Sequence, residues 1–185
     1  MDQARVTSHV RMATYKDLKA IFEHDGRHTL ESGRDGDVIF LPFEAGKDQR
    51  TLDEFADPKF EAFEKPVTEK GWERAWIITD EKQVYGVLWL VHSPKLEASL
   101  HRCLLMMGIE RSHRRGGFGS KLISEAIDWA KSQKLSWIQL NVFDHNEPAK
   151  ALYRKFGFQE IGTSPDLFRV HGQSINDTEM VLRLD

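Results

Sequence analysis

Residues 106–130, which read MMGIERSHRRGGFGSKLISEAIDWA, restrict the fold of this chain more than any other segment. An apolar run ends there, a basic glycine-rich turn follows, and apolar residues then recur at helical spacing from Phe118 onwards. The first amides of a helix have no intrahelical partner, and the helix dipole makes that end electropositive. Gly116, Gly117 and Gly119 allow the backbone to come close to a ligand. A strand, a glycine turn and a helix in this order predict a phosphate-binding site.

The charge of this turn indicates an anionic ligand. Arg111, Arg114, Arg115 and Lys121 lie within it without any acid, whereas the whole chain carries a net charge of -3. A nucleic-acid surface needs a broader basic face, so we expect no nucleic-acid partner. The turn alone leaves one alternative open, a surface loop that uses glycine for geometry and arginine for solubility.

Two widespread phosphate-binding patterns do not fit the turn. The dinucleotide-binding fingerprint needs a third glycine where Leu122 stands, and it needs an acid about 20 residues further on, where Gln139 is found. A P-loop needs Gly-Lys-Ser/Thr, but the chain has Ser120 before Lys121. These two classes of nucleotide-binding protein are therefore not predicted.

A third pattern does fit. The spacing Arg114-x-x-Gly117-x-Gly119 resembles the R/Q-x-x-G-x-G/A signature of the GNAT superfamily of acetyl-CoA-dependent N-acetyltransferases. Residues 146–158, NEPAKALYRKFGF, resemble the N-x-x-A-x-x-L-Y-x-x-x-G-F segment of the same superfamily, in the same order and at the same separation. The chain is therefore identified as a member of that superfamily.

This resemblance implies how acetyl-CoA binds as a co-substrate. In the family, the turn amides hold the pyrophosphate, and the end of the preceding strand bonds the pantetheine arm and the thioester carbonyl. The cofactor-binding residues that this implies are Met107, Gly108, Ile109, Arg114, Arg115, Gly116, Gly117, Phe118, Gly119, Ser120, Asn146, Ala149 and Tyr153. No metal is expected, because the histidines have no HExxH or CxxC companion.

The fold class that we predict is α/β (α+β) with a GNAT-like fold, as one domain over residues 1–185. It has a mixed, mostly antiparallel central sheet of about seven strands, flanked by helices and splayed between strands 4 and 5. Strands are predicted at residues 8–12, 75–79, 84–92, 103–107, 137–143, 159–163 and 180–184, with a polar link over 164–178. Helices are predicted after Thr14, over 52–64 and 68–74, and after Gly117 and Asn146. Gly86 suggests a bulge or a close backbone approach. Gly108, near the end of its strand, would permit a bulge.

Tyr153 matches the tyrosine that lies near the coenzyme sulfur in many family members, so we assign it the role of general acid. Helical spacing alone would also explain it as a core aromatic residue. The general base stays open between Glu110, His101, His145 and the acids of residues 24–73. Some members carry a glutamate on the strand before the turn, but Cys103 and apolar residues stand there. We interpret Cys103 as a small buried residue.

The predicted reaction is acetyl transfer to a primary amine of a small molecule, a peptide or a protein. Residues 24–73 hold thirteen acids and seven lysines or arginines, which suggests a cationic acceptor. Alternatives are a non-catalytic acyl-CoA-binding or regulatory module, and a nucleotide-phosphate binder of another fold. We expect a cytoplasmic protein, since no signal peptide or membrane span is evident, and a homodimer is left open.

Overall fold

The computed structural model describes residues 7–44 and 52–185. Its strands are β1 (His9–Met12), β2 (Glu73–Thr79), β3 (Val84–Val91), β4 (Arg102–Ile109), β5 (Trp137–Phe143), β6 (Gln159–Val170) and β7 (Gln173–Arg183). Its helices are α1 (Leu18–Thr29), α2 (Leu52–Glu64), α3 (Phe118–Ser132) and α4 (Glu147–Lys155). No helix in the described part of the chain is long and apolar enough to cross a membrane.

The seven strands form one sheet in the order β1-β2-β3-β4-β5-β7-β6. All neighbours pair antiparallel except β4 and β5, which are parallel. The prediction of a mixed, mostly antiparallel sheet of seven strands is confirmed.

Helices cover both faces of the sheet, because each helix has one apolar stripe to bury. We call the side of the sheet that α1 covers the α1 face. Its core is a cluster that includes Leu18, Ile21, Ala75, Ile77, Val87 and Trp89. The α3 face is a larger cluster that includes Leu88, Leu122, Ile123, Ala126, Ile138, Leu140 and Tyr153. Cys103 is fully buried in this second cluster, which confirms its interpretation as a small core residue.

The parallel pair is short, and this opens the sheet. Residues 102–104 of β4 pair with residues 137–139 of β5, and the two strands have no further pairing although both continue. The predicted splay between strands 4 and 5 is therefore confirmed. We call the gap beyond Leu104 and Gln139 the β4–β5 cleft.

Gly86 and Gly108 behave differently from each other. A Cβ on Gly86 would lie 2.6 Å from Cδ1 of Ile78, and the β2–β3 register shifts immediately beside it, as predicted. At Gly108 the prediction of a bulge is wrong, because the β3–β4 register runs without a shift from Val91 to Gly86. The absent side chain makes room for a helix residue there instead, as described below.

Two other predictions are wrong. Residues 68–74 form no helix, because Gly71 takes a φ of 85° and β2 already begins at Glu73. Residues 164–178 are mostly strand, since β6 and β7 make one long hairpin that turns at His171 and Gly172, both with positive φ. The outer strand β6 is exposed along most of its length, so it lacks the apolar alternation that marks a strand in a sequence.

Candidate active site

The glycine turn leaves a row of backbone donors unused. Gly117 is the N-cap of α3 with a φ of 82°, and the first helical bond runs from the Lys121 amide to its carbonyl at 3.1 Å. Within the described residues, the amides of residues 115–120 donate no hydrogen bond. Unpaired amides at the N-terminus of a fifteen-residue helix bind anions.

The two sequence motifs meet at Gly119. A Cβ on this residue would lie 3.0 Å from Cδ2 of Leu152 and 3.4 Å from Cδ1 of Ile109. The glycine therefore lets the start of α3 pack directly on α4 and on the end of β4. Asn146 caps α4 by accepting a hydrogen bond from the Ala149 amide at 3.3 Å.

The Arg114 side chain is engaged by protein groups. Its guanidinium donates to the Ile109 carbonyl at 2.7 Å, to Asp37 at 2.7 Å and to Glu31 at 2.6 Å. Arg111 binds Asp37 and Asp35 in the same way. Two cations of the turn thus neutralise acids of the segment that follows α1.

This pairing changes the charge balance inferred from the sequence. In the described residues, Arg115 and Lys121 have no ion-pair partner, and Nζ of Lys155 lies 3.4 Å from Oγ of Ser120. The positive charge that stays available at the turn comes from these lysines and Arg115. Part of the acidic surplus of residues 24–73 is likewise used within the protein.

The end of β4 presents free backbone groups to the β4–β5 cleft. The Glu110 amide donates to the Tyr85 carbonyl on β3 at 2.9 Å. Because backbone groups alternate in direction along a strand, those of Met107 and Ile109 point toward β5. The Ile109 carbonyl already accepts from Arg114, which leaves its amide as a donor toward the cleft.

Tyr153 lies on α4 with only 6% of its surface exposed, and its ring contacts that of Phe158 at 5.7 Å between centroids. Burial raises the pKa of Tyr153 to about 12, so the phenol is protonated at neutral pH. In the described residues, no group hydrogen-bonds to its hydroxyl. The side chain is therefore both a core aromatic and a potential proton donor.

Glu110 is buried directly after the last residue of β4, and its carboxylate contacts His24 and Arg27 of α1. Its Oε1 lies 3.0 Å from Nδ1 of His24 and 3.0 Å from Nε of Arg27. Burial opposes ionisation, but the hydrogen bonds from His24 and Arg27 outweigh it and hold the pKa of Glu110 below its ordinary value. A carboxylate in this state is a weak proton acceptor.

His28 occupies the space left by Gly108, which sequence reasoning missed. A Cβ on Gly108 would lie 2.8 Å from Cε1 of His28, and the His28 ring stacks on Phe40 at 4.7 Å and on His24 at 5.5 Å. Burial is the main cause that lowers the pKa of His28 to about 3, and the proximity of His24 and Arg114 acts in the same direction. The imidazole beside the strand end is neutral. The one signal in the sequence was two histidines four residues apart on α1.

The other candidate residues are spread over the fold. His101 immediately precedes β4, at the end of that strand farthest from Ile109. His145 follows β5, and its Nε2 lies 2.8 Å from the Ile39 carbonyl. Burial raises the pKa of Cys103 to about 12, which makes it a poor nucleophile. Of these three residues, His145 is the one that contacts the segment after α1, through the Ile39 carbonyl.

A cavity opens between that segment and the β6–β7 hairpin. Its volume is about 650 Å³. It is lined by Gly33, Arg34, Asp37, Val38, Ile39, His145, His171, Gln173, Ser174 and Ile175.

Two polar side chains contact each other on the α1 face of the sheet, one on β5 and one on β7. Oδ2 of Asp177 on β7 accepts a hydrogen bond from Nδ2 of Asn141 on β5 at 2.5 Å. Asp177 is only 5% exposed, and burial raises its pKa above the ordinary value although the Asn141 hydrogen bond acts against this. Sequence reasoning missed Asp177 because it placed the residue in a link between strands.

Comparisons with known proteins show which family the sequence is similar to. The profile of the family described as "Acetyltransferase (GNAT) family" matches residues 42–158. The N-alpha-acetyltransferase RimI of Mycobacterium tuberculosis is 31% identical over 87 residues, which are 47% of this chain and 51% of the relative. An uncharacterised N-acetyltransferase of Bacillus subtilis, YycN, is 28% identical over 81 residues, which are 44% of this chain and 51% of that protein. The matches thus span about half the length of these two curated relatives.

Solved structures share the fold over nearly the whole chain. A GNAT-family acetyltransferase from Streptococcus pneumoniae superposes with a TM-score of 0.82 at 20% identity, covering 97% of this chain and 100% of the other. YncA from Salmonella typhimurium, solved with acetyl-CoA, gives a TM-score of 0.79 at 18% identity and covers 97% of this chain and 95% of its own. Since the family profile extends over more than half of the sequence, this chain belongs to the acetyltransferase (GNAT) family.

Proposed function

We propose that this protein transfers the acetyl group of acetyl-CoA to a primary amine by direct attack in a ternary complex. The observation that carries the proposal is the unpaired row of amides at residues 115–120, next to a cleft that opens at the end of β4. Such a row suits a pyrophosphate, and the cleft suits an extended arm that leads from it to the centre of the sheet.

The coenzyme is assigned to these groups as follows. The pyrophosphate binds the amides from Arg115 to Ser120, and Lys121 and Lys155 balance its charge. The pantetheine arm bonds the free backbone groups of Met107, and the Ile109 amide faces the thioester carbonyl. Arg114 positions this turn, because its amide donates to the Arg111 carbonyl and its side chain holds the turn to the segment after α1. Asn146 and Ala149, in the first turn of α4, form the opposite wall.

The chemistry follows from the needs of acetyl transfer. A neutral amine attacks the thioester carbonyl, and the resulting oxyanion needs a donor that is already in place. The Ile109 amide supplies that donor in this proposal. The C–S bond then breaks, and the Tyr153 hydroxyl gives its proton to the departing sulfur. The high pKa of Tyr153 keeps the phenol protonated at neutral pH, so that it can donate when negative charge develops on the sulfur.

The acceptor approaches from the α1 face, through the cavity between residues 33–39 and the β6–β7 hairpin. A cavity of about 650 Å³ accommodates a small-molecule amine or the first residues of a peptide. The relative named N-alpha-acetyltransferase RimI supports a peptide α-amine as one such acceptor. Because Glu31, Asp35 and Asp37 pair with arginines, the attraction for a cationic acceptor is weaker than the acid count suggested.

One observation favours a second candidate function, a non-catalytic acyl-CoA-binding module. The carboxylate nearest the end of β4, Glu110, is tied to His24 and Arg27 and is a weak base. A protein that keeps the coenzyme site but lacks a base would bind without turnover.

The test is a panel of amines with acetyl-CoA, in which release of the coenzyme thiol is monitored. The panel contains polyamines, aminoglycosides, and peptides with free or blocked N-termini. Acetyl transfer predicts thiol release that depends on one class of amine. Tight binding of coenzyme A in a titration without amine-dependent release would favour the binding module, and absence of coenzyme binding would overturn both.

A further inference from the structure

Three carboxylates are buried in the described residues, namely Glu73, Glu110 and Asp177. Glu73 pairs with Lys59, and Glu110 pairs with Arg27 and His24. Asp177 has no cationic partner in the described part of the chain, and its one side-chain hydrogen bond comes from Asn141. An uncompensated buried carboxylate costs stability, so its retention calls for a functional explanation.

Asp177 lies on β7, one strand away from the β4–β5 cleft, beside the last residue of β5. It lies opposite Phe143 in the β5–β7 pairing, on the face where Phe143 and Ile175 pack against Ile39. If the register of β4 and β5 is continued past Leu104 and Gln139, Phe143 lies across the cleft from Gly108. The next residue after Ile39, Phe40, stacks on the His28 ring that covers Gly108. Ile39 and Phe40 therefore connect the two sides of the cleft, because one contacts Phe143 of β5 and the other contacts the ring that covers Gly108 of β4.

The cavity lies next to the part of β7 that carries this carboxylate. Ile175 lines the cavity and lies two residues before Asp177, so both side chains are on the same face of β7. Asn141 binds Oδ2, whereas Oδ1 accepts no hydrogen bond within the described residues. An acceptor bound in the cavity would therefore lie beside the part of β7 that carries this free oxygen.

We propose that Asp177 is the general base, an inference that rests on the proposed acetyl transfer. An N–H bond of the attacking amine breaks and its proton passes to Oδ1 of Asp177, while the C–N bond forms at the thioester carbonyl. The C–S bond breaks and the sulfur takes the Tyr153 proton. Asp177 then releases its proton to water and Tyr153 regains one from water, so the products are the acetylated amine and the free thiol.

The electrostatic setting suits this role. Burial raises the pKa of Asp177, which makes it a better proton acceptor than an exposed aspartate, whereas the pKa of Glu110 is lowered. Around it lie Glu179 on β7, Asp144 and His145 after β5, and Asp166 on β6. Asp144 is bound by Lys150 and Thr178, His145 by the Ile39 carbonyl, and Asp166 by Arg169. Glu179 lies two residues further along β7, on the same face as Asp177.

The experiment compares Asp177→Asn and the control Glu179→Gln with the wild-type protein, using the amine found active in the panel. We expect kcat to fall by about 10²-fold or more in Asp177→Asn and to stay within about twofold in Glu179→Gln. Coenzyme A affinity and the melting temperature should be close to wild type in both. The pH profile of kcat is used, because kcat/KM also contains the ionisation of the free amine.

A second variant distinguishes a base from a structural residue. Asn141→Ala removes the hydrogen bond that favours the ionised carboxylate, so the acidic limb of kcat should move to higher pH while the plateau at high pH is kept. The limb should be lost in Asp177→Asn. A folded Asp177→Asn protein with kcat within twofold and an unchanged limb overturns the assignment, and if that variant does not fold, an unmoved limb in Asn141→Ala does so. A wild-type protein without amine-dependent thiol release overturns the proposed function instead.

Discussion

The guanidinium of Arg114 donates to Oε2 of Glu31 at 2.6 Å, and this contact joins the glycine turn to the segment after α1. The same guanidinium binds Asp37 and the last carbonyl of β4. One side chain therefore connects the proposed coenzyme site to the proposed acceptor site. Neither site can shift much without a change in the other.

Replacement of Arg114 by Gln should affect both sites. Three charge-assisted or carbonyl hydrogen bonds are lost, and we expect a loss of about 1–3 kcal/mol in the free energy of unfolding. KM for the acceptor should rise more than the Kd of coenzyme A, because the turn keeps its backbone amides. Arg111→Gln is the matched control, since Arg111 contacts Asp35 and Asp37 from a more exposed position and should cost less. Equal effects of the two variants would contradict a special role for Arg114.

Replacement of Gly117 tests the phosphate site. A valine there should weaken coenzyme A binding at least about tenfold, because its branched side chain stands over the amides and is strained at a φ of 82°. Gly172→Val is the control, because Gly172 also has a positive φ of 74° and open space around its Cβ but lies in the β6–β7 turn. Titration with coenzyme A should separate the two variants, whereas thermal melts should show similar losses. Unchanged affinity in a folded Gly117→Val protein would rule out this site.

The stability of the protein should depend on the ionisation of His28. Its pKa is about 3 in the folded state and near 6.5 in the unfolded chain, so the unfolded state binds more protons between these values. The part of the free energy of unfolding that depends on neutral His28 is therefore fully present above pH 6.5, and it declines as the pH falls toward 3. His28→Phe keeps the stacking on Phe40 and should flatten the decline between pH 6.5 and 5, where most carboxylates are still ionised. Chemical denaturation at a series of pH values measures this, with the exposed His101→Gln as control, and equal slopes in all three proteins would refute it.

Sequence reasoning predicted those parts of the site that are determined by residues close to each other in the chain. Gly117 is required by the backbone conformation of its own residue, and Asn146 caps the helix that begins next to it. Each of these causes lies within four residues in the chain, so each leaves a pattern in the sequence. The turn, α3, α4 and the residues of both motifs were identified for this reason.

The contacts that sequence reasoning missed join residues that are distant in the chain. Glu110 is held by His24 and Arg27 from α1, and Arg114 by acids about 80 residues away. Asp177 lies on a polar hairpin whose strands are stabilised by backbone pairing and not by apolar alternation. No local rule connects such residues, because the contacts exist only after the sheet has formed.

The role of Tyr153 can be separated from its packing. Tyr153→Phe keeps the ring beside Phe158 and removes only the hydroxyl, for which no hydrogen bond exists in the described residues. If the phenol protonates the departing thiolate, kcat should fall at least about tenfold, since general acid catalysis typically contributes about 10² to 10⁴. Coenzyme A affinity and the melting temperature should change little. Tyr85→Phe is the control, because it removes a hydroxyl that bonds Asp80, outside the proposed site. A Tyr153→Phe protein that keeps wild-type kcat, measured where chemistry limits the rate, would leave Tyr153 as a core residue whose hydroxyl takes no part in the reaction.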